Sequence, residues 1–246
     1  MKNIAIQTVA YNERENISAC IKNWHGVIDK HLVLVPTRPW NGPRVEDDGT
    51  YRIAKRTNAE VILGEWKSEE EQRTWGLARL YDYDWVLIVD PDEFYTGEDQ
   101  KIIIDSLQTA DKPLYKCSNI LTYWKTSDYR LDPQDSVQPV IAVNPKIAYA
   151  HDHRNFKYLA DDRDYITDIG VIGVTCHHFS WVKSDNKVYE KINSYSHWNS
   201  IRDGWYENKW KLWDKDKSIY DLRPYGIEQS TAIYDPAPKE ITALFE

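Results

Sequence analysis

The sequence predicts an α/β fold with a mostly parallel central sheet. Two observations carry that expectation. Apolar runs of strand length alternate with helical stretches through residues 1–110, the pattern of successive βαβ units. The fourth apolar run, WVLIVD, ends abruptly in the acidic residues of PDE, at the strand end where an open α/β sheet holds its ligand.

The elements follow in order. NIAIQTVA (3–10) reads as a buried strand, and NERENISACIKNW as a helix with Ile17, Cys20, Ile21 and Trp24 on one face. HLVLVP (31–36) is a second strand, and TRPWNGPRVEDDG (37–49) a loop rich in Pro, Gly and charge. TYRIAKRTN is a short helix and AEVILGEW (59–66) a third strand. In SEEE, Ser68 caps a helix and Glu71 sits three residues on, which is a capping box. That helix runs through WGLARLY to the fourth strand, Trp85 to Asp90. Beyond residue 110, LYKCSNILTYW, QPVIAVN and VIGVTCHHFSWV read as strands, and 184–214 as a helical segment.

Composition narrows the class. At 246 residues and 41% hydrophobic, the chain suits one large domain with a sizeable core. A net charge of -8 counts against nucleic acid and against a general anionic-membrane binder. Cys20, Cys117 and Cys176 are sparse and far apart, which points away from a disulfide framework and towards a reducing cytoplasm. No window approaches the ~18 apolar residues of a membrane span, so membrane contact would be peripheral. The aromatic content, 11 Trp and 17 Tyr against 4 Phe, suits stacking on sugars or bases as well as core packing.

Asp90 and Asp92 alternate on an extended backbone, so both reach one site across Pro91. Carboxylates this close repel, and a hard divalent cation such as Mn²⁺ or Mg²⁺ relieves the repulsion. The competing reading is a solvated acidic turn.

IAIQTVAYNERENISACIKNW, EDDGTYRIAKRTNAEVI and DWVLIVDPDEF together resemble the GT-A nucleotide-sugar glycosyltransferases, family 2 in particular. The resemblance implies a GT-A (Rossmann-like) fold and a single domain over 1–246. Residues 1–110 would bind the nucleotide-sugar, 111–215 the acceptor and the metal-binding histidine, and 216–246 would be a C-terminal extension. It implies that Thr8, Ala10, Tyr11 and Glu13 contact the nucleotide. Asp90 and Asp92 would be the DxD pair, Asp90 on the ribose side and Asp92 on the metal. Glu13 also reads as a helix N-terminal acid. Family members carry an acidic pair directly after the second strand, whereas here Asp47-Asp48 arrives about ten residues later. Asp48 therefore either reaches the base or, as favoured, caps the next helix.

HFSWVKS resembles a run in family 2-like transferases and implies His178 as a further metal ligand. Neighbouring residues on a strand face opposite ways, so His177 faces elsewhere. Lys183 and Lys187 meet the diphosphate or are surface charges. Arg73 reads as a diphosphate or ribose contact, or as the partner of Glu69 or Glu70 on a helix. An inverting transfer needs a carboxylate base. Asp152, Asp161, Asp162 and Asp164 are the candidates, and Asp162 is the choice. The implied donor is a UDP- or GDP-sugar and the acceptor a saccharide or glycolipid. Trp198, Trp205, Trp210 and Trp213 are expected to divide between helix packing and an acceptor or membrane-facing platform with Tyr206, Lys209 and Lys211. A nucleotidyltransferase of related fold is the alternative, disfavoured because TVAYNEREN has no glycine; a non-catalytic carbohydrate-binding module is the other.

Overall fold

The computed structural model describes residues 1–246 apart from 43, 45, 153, 162–163, 195–197 and 226–228. Its first half runs β1 (Ile4–Val9), α1 (Ile17–Trp24), β2 (Lys30–Pro36), α2 (Thr50–Ala54), β3 (Glu60–Gly64), α3 (Glu69–Arg79), β4 (Trp85–Ile88), β5 (Glu93–Phe94) and α4 (Gly97–Thr109). The second half runs β6 (Leu114–Trp124), β7 (Thr126–Asp132), β8 (Val140–Val143), β9 (Ala148–Asp152), β10 (Asn155–Tyr158), β11 (Ile169–Trp181), α5 (Asp185–Ser194), β12 (Thr231–Tyr234) and α6 (Lys239–Thr242).

The predicted α/β architecture is present. The main sheet has the order β12-β7-β6-β8-β4-β1-β2-β3, with β11 paired to β6 and β5 paired to β11. β3, β2, β1 and β4 are mutually parallel. β8 runs antiparallel between β4 and β6, and β11 lies parallel to β6. β1 and β2 are buried almost throughout, which is why they read as continuous apolar runs and not as alternating ones.

Two apolar layers enclose this sheet. One joins Ile6, Leu87 and Trp85 to Trp24 of α1 and to Ile103 and Leu107 of α4. The other joins Ala5, Leu34, Val86 and Ile88 to Leu77 of α3. Ser68 caps α3 as expected, accepting from Glu71 N at 3.2 Å, while Glu71 reaches one residue past the capping-box position and accepts from Lys67 N at 2.6 Å. α3 also packs very close to β1. A Cβ on Gly76 would lie 1.8 Å from Gln7 Nε2, and that amide nitrogen donates to the Arg73 carbonyl at 2.8 Å. The glycine therefore permits the close approach, and the approach carries Arg73 to the ligand edge of the sheet.

The chain departs from expectation after α5. The helix expected over 184–214 is broken: α5 ends at Ser194, a 3₁₀ turn spans Trp198–Ser200 and a π-helical turn spans Tyr206–Trp210. Gly204, at φ 68°, separates the 3₁₀ turn from the π-helical turn, as a left-handed glycine does. Trp205 and Trp210 turn inward on Trp124, with ring centroids 6.0 and 4.9 Å away. Both are essentially fully buried. They are core, so neither is part of an exposed platform; the indole ring, with its large apolar area, gains most by such burial. Residues 216–246 return to the sheet, where β12 pairs with β7 and Phe245 packs on Phe94 and Phe179.

Candidate functional site

The carboxyl ends of β1 and β4 open on a cleft of about 830 Å³. The DPDE stretch lines it, and two arginines hold Asp90 and Glu93. Arg73 Nη2 donates to Asp90 Oδ1 at 2.8 Å, while its Nε donates to Glu69 at 2.8 Å. Arg154, in the turn between β9 and β10, reaches Asp90 at 2.9 Å and Glu93 at 2.6 Å. Desolvation of buried Arg73 and largely buried Arg154 would disfavour their charge; Asp90, together with Glu69 at Arg73 and Glu93 at Arg154, holds both above their ordinary range. Burial pushes the Glu93 carboxyl up, against Arg154 and with the help of Asp90.

Three lysines meet three other carboxylates. Lys183 lies 2.6 Å from Glu13, Lys187 lies 3.1 Å from Asp48, and Lys191 lies 3.0 Å from Asp92. Their i, i+4, i+8 spacing sets them on one side of α5 and its lead-in. The helix thereby faces the turn after β1, the 37–49 loop and the DPDE stretch together. Burial alone would raise the Asp92 carboxyl, but Lys191 and then His178 hold it well below the carboxylate range.

Topology brings the late histidine to the early aspartates. β11 lies between β5 and β6, so His178 is in register with Glu93 on one side and Thr122 on the other. His178 Nε2 lies 3.6 Å from Asp92 Oδ1. Burial would lower the imidazole pKa, but Asp92 outweighs it and raises it. His177 turns the opposite way, into the core, with Nδ1 3.0 Å from the Tyr123 hydroxyl.

Of the residues expected at the nucleotide, Tyr11, Glu13, Arg73 and Asp90 line this cleft. Thr8 and Ala10 are buried beneath it. The Thr8 hydroxyl is 2.8 Å from His31 Nε2, and Ala10 packs with Ile17 and Val33. The cap position of α2 is Gly49, not Asp48; Asp48, one residue earlier, braces the start of the helix by accepting from Thr50 N at 2.9 Å and Thr50 Oγ1 at 2.6 Å. It also accepts from Arg14 N at 3.1 Å, so it ties α2 to the turn after β1. Asp162 lies outside the described residues. Sequence reading missed Arg154 and Lys191. The lysine spacing was a signal for Lys191; the HDHRNF turn carried none for Arg154.

The donors suit a cation that enters with substrate oxygens. Asp92 and His178 offer one hard oxygen and one imidazole nitrogen, a set that Mn²⁺ or Mg²⁺ accepts when phosphates and water fill its other positions. Among the described residues no group of three or more His, Cys, Asp or Glu forms a closed cage. Lys191 already neutralises the second oxygen of Asp92. Also among the described residues, no helix is long and apolar enough to cross a membrane.

No protein-family model matches the sequence, and no curated protein matches it. Solved structures similar to it include S. aureus TarS 1-349 in complex with UDP-GlcNAc, at 15% identity and TM-score 0.37 over 50% of this chain and 35% of that one. Another is the mannosyltransferase PcManGT from Pyrobaculum calidifontis in complex with GDP-Man and Mn²⁺, at 16% and 0.37 over 48% and 36%. A third is 4-diphosphocytidyl-2C-methyl-D-erythritol synthase from Anaerococcus prevotii, at 15% and 0.42 over 76% and 94%. This chain thus spans about a third of the first two. At such identities and TM-scores the likeness carries no argument, and the α/β assignment rests on the chain's own strand order.

Proposed function

We propose that this protein is a metal-dependent, family 2-like glycosyltransferase of GT-A fold that moves a sugar from a UDP- or GDP-sugar to a saccharide or glycolipid acceptor. One observation carries the reading: at the ligand edge of the sheet Asp92 meets His178 and Lys191 of α5, while Asp90 and Glu93 beside it are held by Arg73 and Arg154. An unused acidic turn would be open to water, whereas Asp92 and Glu93 are buried beneath a cleft.

In this reading residues 1–110 hold the donor, 111–215 supply His178 and the acceptor side, and 216–246 are the C-terminal extension. Tyr11, Glu13, Arg73 and Asp90 contact the nucleotide through side chains, and Thr8 and Ala10 through backbone. Asp92 and His178 hold the cation, which when bound stabilises the charge gathering on the departing nucleoside diphosphate. The cleft's paired cations set the terms of entry. Lys183, Lys187 and Lys191 each face a carboxylate, so a diphosphate takes over these partners or enters with added positive charge. Asp162 is the proposed base of an inverting transfer. A cytoplasmic enzyme in peripheral contact with a membrane fits a glycolipid acceptor.

The test is thermal shift and calorimetry against UDP-, GDP-, CMP- and dTDP-sugars, with and without Mn²⁺. The expected result is Mn²⁺-dependent stabilisation by one nucleotide class, lost in Asp92→Ala. Full-strength metal-dependent binding in Asp92→Ala would remove the assignment.

A further inference from the structure

On the other side of His178 from Asp92 lies a chain of hydrogen bonds with a fixed sense. Arg223 Nη1 lies 2.8 Å from Asp135 Oδ1. The Thr122 hydroxyl donates to Asp135 Oδ2 at 2.6 Å. Thr122 Oγ1 is then 3.4 Å from His178 Nδ1. Arg223 only donates and an ionised carboxylate only accepts. The single hydroxyl proton of Thr122 is therefore committed to Asp135, and Oγ1 can only accept from the ring. Sheet register builds the contact: Thr122 and His178 are direct partners in the parallel pair β6–β11.

We infer that Thr122 and Asp135 are positioning residues that hold neutral His178 as the tautomer protonated on Nδ1, turning the Nε2 lone pair towards Asp92 and the cleft. Two acceptors, Nε2 and Asp92 Oδ1, then face each other 3.6 Å apart. A proton fills that gap in the imidazolium form and a cation can fill it when the ring is neutral; a hydrogen-bonded carboxylate behind a histidine is how a protein orients such a ligand. The inference rests on the reading of His178 as a cation ligand, but its first consequence, the tautomer, exists without cation or nucleotide.

Asp135→Asn makes the sharpest prediction. Arg223 still requires an oxygen at the Oδ1 position, so the amide nitrogen faces Thr122. The hydroxyl must now accept from that nitrogen and turn its own proton towards His178 Nδ1. The ring proton moves to Nε2, and the lone pair facing Asp92 is lost.

The experiment is nitrogen NMR on ¹⁵N-histidine-labelled full-length protein at alkaline pH, where the ring is neutral, with His178 assigned by its loss in His178→Gln. The expected wild-type signature is Nδ1–H with unprotonated Nε2. Asp135→Asn should invert it, Thr122→Val should leave a mixture of tautomers, and Thr122→Ser should restore the wild-type form. In calorimetry with UDP or GDP present, Mn²⁺ affinity should fall by about 10–100-fold in Asp135→Asn and Thr122→Val, and should hold in Thr122→Ser. A wild-type ring protonated on Nε2, or an unchanged signature in folded Thr122→Val, overturns the inference. If the tautomers behave as expected while the wild type binds no Mn²⁺ with any nucleotide, the positioning role stands and the metal reading falls.

Discussion

His31 shows how a buried ionisable group records its surroundings. Burial lowers its imidazole from 6.5 to about 3, and Thr8 is its hydrogen-bond partner. The folded protein thus keeps the ring neutral where the unfolded chain would protonate it. The stability due to neutral His31 is complete above pH 6.5 and drains away as pH falls from 6.5 towards about 3. His31→Gln, which can still reach Thr8, should reduce the slope of unfolding free energy against pH in that window by up to ~1.4 kcal/mol per pH unit. Chemical denaturation at a series of pH values reads that slope, and an unchanged slope would show that His31 does not stay neutral. The adjacent histidines make a second residue-scale contrast. His178→Ala should depress Mn²⁺-dependent turnover far more than His177→Ala, because His178 faces Asp92 while His177 faces Tyr123. Comparable losses in the two variants would place the functional face elsewhere. The sequence made this distinction readable, because strand geometry alone turns neighbours apart. It could not reveal the partner of Thr8, since His31 is set by the pairing of β1 with β2.

At the scale of elements, lysines on α5 and its lead-in join it to the turn after β1, the 37–49 loop and the DPDE stretch, and the joints differ in strength. Lys183 and Glu13 are both largely buried, with Lys183 only 3% exposed. Lys183→Met leaves the largely buried Glu13 carboxylate to the Asn16 Nδ2 donor at 3.0 Å and should cost about 2 kcal/mol. Lys187→Met should cost under about 1 kcal/mol, because Asp48 keeps its bonds from Arg14 and Thr50. Urea denaturation of the two variants measures the difference, and equal losses would contradict the ranking. The tryptophans near residues 205–213 give a second test. Trp205→Ala should cost about 3–5 kcal/mol as a core truncation, whereas Leu212→Ala, at an exposed position, should change stability by under ~0.5 kcal/mol. A Trp205→Ala protein of wild-type stability with a raised acceptor KM would restore the platform reading. Helical spacing placed these tryptophans on shared faces and divided them between packing and a platform; α5 ends at Ser194, and Trp124 draws Trp205 and Trp210 inward.

Over the whole molecule, the first half was legible because short alternating elements leave clear periodicity. The four parallel strands and the Ser68 cap of α3 lie where the apolar runs and SEEE put them. The second half was less so. β9 and β10 form a small separate hairpin with a weak apolar pattern, yet their turn places Arg154 over the acidic stretch. The insertion of β11 between β5 and β6 is likewise a long-range choice that no local window contains, although both the histidines and the aspartates were visible. The proposed transfer breaks the bond between the sugar and the nucleoside diphosphate and leaves the pyrophosphate bond intact. The most direct measurement is the phosphorus-containing product formed when the protein is incubated with the nucleotide-sugar that stabilises it, Mn²⁺ and a panel of saccharide acceptors. The expected product is the nucleoside diphosphate with its pyrophosphate bond intact, and its release should be abolished in Asp92→Ala; the proposed transfer requires both. Release of a nucleoside monophosphate, or formation of pyrophosphate in place of the diphosphate, would contradict it.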